Sequence, residues 1–204
     1  MSGEGLREAN RQKILAALDK PATFDFFGAT LADVVDNLST QYEFSVEIDT
    51  REIEDEGLVD LSERIDMQLD KVTLRSGLRL LLNRLGLDYY LENEVLMIST
   101  PSKVQNNPDT RIYNVRELLP KDGADSAVQQ LIKVLRNAVE PSSWEENGGT
   151  GTIGHYQGLF VVSQTGAVHE QLEDLLEYLA ATMKDAGGPI SPTLPQSNRP
   201  QPSR

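Results

Sequence analysis

A chain of 204 residues with 39% hydrophobic and 25% charged residues has room for one medium domain or two small ones, each with its own core. Its formal net charge of −13 repels phosphate backbones and argues against nucleic acid as a partner. Cysteine is absent, which excludes disulfides, thiolate zinc sites and cysteine nucleophiles, and no stretch approaches the ~20 apolar residues of a membrane-spanning helix.

In chain order, MSGEGLREANRQK lacks the apolar centre of a signal peptide, so a full-length chain is expected in the cytoplasm. Ile14, Leu15 and Leu18 then recur at helical spacing and stop before Pro21, and residues 1–22 read as a short leading helix. Phe24 and Phe26 alternate with Thr23 and Asp25 as in a half-buried strand, punctuated by Gly28. Thr30 caps a helix whose apolar face is Leu31, Val34, Val35, Leu38 and Tyr42. The period changes to two at Phe44, Val46 and Ile48, a second strand. The acidic run from Arg51 to Glu63 is expected to be a solvated connection. A third strand follows, where Ile65, Met67 and Leu69 alternate with polar residues. Thr73 caps a helix with Leu74, Leu78, Leu81, Leu82 and Leu85 on its core face and Gly86 at its end. LDYYLENEVLMIST reads as a hairpin turning at Glu92, Asn93 and Glu94.

PSKVQNNPDT, residues 101–110, has the Pro and Asn content of a linker. A fresh strand starts at Arg111, and a helix carries Val128, Leu131, Ile132, Leu135, Ala138 and Val139 before Pro141. EPSSWEENGGTG reads as turns, and strands at Ile153 to Tyr156 and Leu159 to Ser163 flank Gln157-Gly158. Thr165 caps a last helix with Val168, Leu172, Leu175, Leu176, Leu179 and Met183 on one face. The final DAGGPISPTLPQSNRPQPSR, residues 185–204, offers almost nothing apolar and is expected to be a disordered Pro-rich tail. The fold class is α+β in two small units: β-α-β-β-α-β-β over 23–100 and β-α-β-β-α over 111–184.

The first unit resembles the short N-terminal domain of secretins and TonB-dependent receptors, carried by Thr23 to Phe26, the capped helix from Thr30, Val46 to Asp49, the leucine helix from Thr73, and Glu94 to Ile98. The second, with LFVVSQTGAVHEQLEDLLEYL, is similar to the KH-like ring-building domains that follow it in secretins. This resemblance implies a periplasmic or cell-envelope scaffold of type II or type III secretion or pilus systems. It would bind protein, either a second copy or a secretion-system component, without catalysis or cofactor. The sequence departs from secretins in having no outer-membrane barrel segment.

Catalytic and metal patterns are incomplete. His169-Glu170 begins like HExxH, but Glu173 stands where the second His belongs, so His169 is expected on the solvated side of its helix. His155 has no nucleophile or metal ligand paired with it. Gly148, Gly149 and Gly151 lack the Lys-Ser/Thr of a phosphate loop and read as a mobile connection, and the acidic run lacks the calcium-loop spacing. No catalytic, cofactor or metal residue is therefore assigned. The alternative is a small-ligand binder or enzyme with an unfamiliar acidic site. For the interaction reading the expected contact residues are Trp144, which either covers a core edge or anchors a partner, and Leu159, Phe160, Val161 and Val162, an uncharged β-forming run expected to offer an open edge.

Overall fold

The apolar faces expected from the sequence close into two separate cores in the structure, a computed structural model that describes residues 3–57, 60–120 and 124–185. Apart from Asp185, the expected Pro-rich tail lies outside the described residues. Helices and strands mix in both halves, as the α+β reading requires.

The first core is built by α1 (Gly3–Leu18), β1 (Pro21–Ala29), α2 (Leu31–Tyr42), β2 (Ser45–Ile48), α3 (Thr50–Glu56), β3 (Ile65–Thr73), α4 (Leu74–Arg84), β4 (Asp88–Glu92) and β5 (Val95–Ser99). The Thr30 hydroxyl accepts the N–H of Asp33 while the Asp33 carboxylate accepts that of Thr30, a reciprocal cap that fixes where α2 starts. Thr73 starts α4 with a one-way cap, its hydroxyl accepting the N–H of Ser76. Antiparallel β1 and β3 make one sheet, with a register shift between Phe26 and Ala29 where Gly28 takes a left-handed φ of 60°. A second sheet has the order β2-β5-β4, with β2 parallel to β5 and β4-β5 a hairpin. Asn93 and Glu94 both take positive φ at that hairpin, the geometry whose twist matches the flanking strands.

The leading helix packs into this core, with Ile14 and Leu18 buried in it. One expectation changes here. The first part of the acidic run forms a helix, α3, because Asp49 caps its start, Gly57 ends it in a left-handed conformation and Ile53 is buried beneath it.

Residues 101–110 hold a short helix and the start of the next strand. Thr100 caps α5 (Pro101–Gln105), Pro101 occupies the first turn where no N–H is needed, and Val104 is buried. The second core follows with β6 (Asp109–Asn114), α6 (Asp125–Ala138), β7 (Thr152–Tyr156), β8 (Leu159–Gln164) and α7 (Gly166–Asp185). Its antiparallel sheet has the order β6-β8-β7. Between the halves, Glu170 of α7 receives Arg75 and Arg79 of α4, each at 2.6 Å, and Arg75 also reaches Asp19 at 2.9 Å. Arg11 of α1 pairs with Asp109 of β6.

Candidate protein interface

Alternation along three paired strands sorts the second sheet into two faces. Inward go Ile153, Phe160 and Val162, which meet Val128, Ile132 and Leu135 of α6 and Val168 and Leu172 of α7 in one core. Outward go three cross-strand rows: Thr110, Ser163 and Thr152; Ile112, Val161 and Gly154; Asn114, Leu159 and Tyr156. None of these outward residues is charged, although the chain carries 32 acidic and 19 basic residues. At its centre Ile112 is 66% exposed, Val161 40% and, one row on, Tyr156 65%.

Of the expected contact residues, Leu159 and Val161 lie on this face. Phe160 and Val162 do not, because the pleat turns them into the core. The open edge is misplaced as well: β8 is the central strand, paired on one side with β6 and on the other with β7, so it offers no free ladder. Ile112 and Tyr156 belong to the exposed face and were not among the expected residues. Their position inside an alternating strand was legible, but the face they share depends on strand order.

Trp144 covers the core, the first of its two expected roles. It is fully buried, and its indole N–H donates to the Val139 carbonyl at 2.8 Å. The glycine segment beside it is a pinned loop rather than a mobile connection. Gly151 N–H donates to Ser143 O at 2.9 Å, and Glu145 N–H to Gly151 O at 2.9 Å. A side chain at Gly149 would put Cβ 2.1 Å from the Ser143 backbone, so that close approach requires glycine.

His169 is fully buried, which corrects the expectation that it faces solvent. It lies three residues before Leu172 and shares that residue's side of α7. Its Nε2 lies 2.9 Å from the Asp109 carbonyl, which can only accept, so that nitrogen carries the proton in the neutral ring. Nδ1 then accepts from the Tyr113 hydroxyl at 2.8 Å. Asp109, Arg111 and Glu173 stand around the pair, and burial holds the imidazole pKa below its usual value. A folded-state pKa below the unfolded one gives stability that is complete above about pH 6.5 and is lost as pH falls. Thermal melts at about pH 7.5 and about pH 5 should therefore show a larger loss for the wild type than for His169→Gln. Equal losses would mean that His169 makes no contribution to acid sensitivity.

His155, at the edge of the inward face, accepts the Gly158 N–H at 3.0 Å and stacks edge-on against Phe160. Among the described residues no group of His, Asp and Glu is arranged to hold a metal ion, and no helix is long and apolar enough to cross a membrane.

No protein-family model matches the sequence, and no curated protein matches it. Solved structures do. A candidate anti-sigma factor from Parabacteroides distasonis is 19% identical at a TM-score of 0.33, the match covering 44% of this chain and spanning only 38% of that one. The GspC–GspD complex of the type II secretion system of enterotoxigenic Escherichia coli is 12% identical at a TM-score of 0.29, covering 79% of this chain and 99% of that one. The InvG N0N1 region, solved with SpaPQR and PrgHK in the Salmonella SPI-1 injectisome, is 15% identical at a TM-score of 0.32, covering 83% and 97%. Likenesses this distant do not say what this chain binds.

Proposed function

We propose that this chain is a non-catalytic protein-interaction module of a cell-envelope assembly, docking through the outward face of the β6-β8-β7 sheet. One observation carries the reading: an uncharged sheet face with Ile112, Val161 and Tyr156 exposed, in a chain of net charge −13. Exposed apolar clusters on soluble domains mark contact surfaces, and interface centres are depleted of charge and enriched in Tyr. The outer edges of β6 and β7 flank the face and extend what a partner strand can reach. The partner is a protein, a second copy or a component of a secretion-type assembly, in line with the resemblance of the sequence to secretin N-terminal domains.

Val161→Asp places a charge in the middle of the face without touching the core. Val134 of α6, 48% exposed, serves as the control position. Tagged wild type and Val134→Asp should retain the bound protein or second copy, and Val161→Asp should weaken it by at least about ten-fold, since a buried unpaired charge costs several kcal/mol. Retention by Val161→Asp with loss in Val134→Asp would move the interface to the helical side.

A further inference from the structure

A second surface, independent of the sheet face above, lies on the first unit. We propose that the groove between β2 and α2 takes an extended peptide segment bearing lysine or arginine, added as a new strand on the free edge of β2. In the β2-β5-β4 sheet, β2 is the outermost strand. Asp49 N–H donates to Ile98 O at 2.9 Å, on the β5 side. In a parallel ladder the backbone groups of alternate residues face the same neighbour. Glu47 therefore faces β5 as Asp49 does, and the N–H and C=O of Val46 and Ile48 point outward to where another strand would run. An edge of this kind, lying beside a helix, is what strand addition uses.

The lining selects the occupant. The groove is shallow and mainly polar, with Asp36, Ser39, Glu43 and Glu47 on its lining beside the apolar Val35 and Phe44. Glu43 is partly answered by Lys13, whose ammonium lies 3.8 Å from its carboxylate and donates to its backbone carbonyl at 3.0 Å. Asp36 and Glu47 are exposed and make no ion pair among the described residues. Their charges repel a second copy of this acidic chain, the usual guard on a free edge, and attract a basic strand that alternates cationic and apolar side chains. A Lys-Val alternating hexapeptide has that chemistry.

The experiment follows backbone amide shifts of the full chain during titration with that hexapeptide, with its form N-methylated at alternate amides, and with a Glu-Val alternating hexapeptide. Shifts should concentrate at Ser39, Ser45, Val46, Glu47 and Ile48. N-methylation, and separately Glu47→Lys, should each weaken binding by roughly ten-fold, because each removes strand hydrogen bonds or charge attraction. The Glu-Val peptide should not bind. Three results overturn the proposal: no shifts with the Lys-Val peptide, equal binding after N-methylation with shifts spread over the acidic surface, or shifts confined to the β6-β8-β7 sheet.

Discussion

Trp144→Ala should lower the stability of the second unit by about 3–5 kcal/mol, the range for removing a large aromatic from a core. Trp144 is the largest fully buried side chain among the described residues, and two consequences add to the cavity. The Val139 carbonyl loses its indole donor, and the loop held by the Trp144-Gly151 bridge loses the side chain around which it is wrapped. Denaturant unfolding followed by far-UV circular dichroism reads the loss. Trp144→Phe keeps most of the packing and should cost less. A near-zero change in Trp144→Ala would mean that the loop does not close over the core.

Leu81→Ala should cost the first unit about 2–5 kcal/mol. Leu81 is 1% exposed, and Leu78 and Leu82 beside it on α4 are equally enclosed, so the site has little room to collapse around the missing atoms. The same variant tests whether residues 23–100 and 111–184 fold as separate bodies, as we propose from their separate cores. Amide protection should fall across β1, β3 and α4 and persist in β6, β8 and α7. A parallel fall in both sets would show that the Arg75 and Arg79 bridges to Glu170 join the halves into one cooperative unit.

These two residues also mark what the sequence could and could not say. Leu81 was legible because period, cap and terminator all point the same way over 73–86. Trp144 was legible only as one of two roles: covering a core edge was among its expected roles, but a lone aromatic in a polar loop has no period to decide between them, and its burial depends on a bridge to Gly151 that no local pattern encodes. α3 was missed for a related reason. A run of acids obscures the one core residue, Ile53, and only Asp49 and Gly57 bracket it as a helix. Sheet order is the largest gap. In a sheet covered on one face, central and edge strands alternate alike, so the alternation of β8 said nothing of its neighbours. Its freedom from charge did carry a signal, since an exposed edge is usually guarded. The expectation of an open edge at 159–162 inverted that signal, which fits the central strand that β8 is; the sheet places Val161 on the exposed face while Phe160 and Val162 turn inward.

Photo-cross-linking in the native host tests the central claim most directly. With a benzophenone side chain at position 161, a discrete protein adduct should form, either a second copy or one partner of defined mass, and the same group at position 134 should give none. An adduct at 134 with none at 161, or none at either position, would contradict the assignment of the β6-β8-β7 face as the interface.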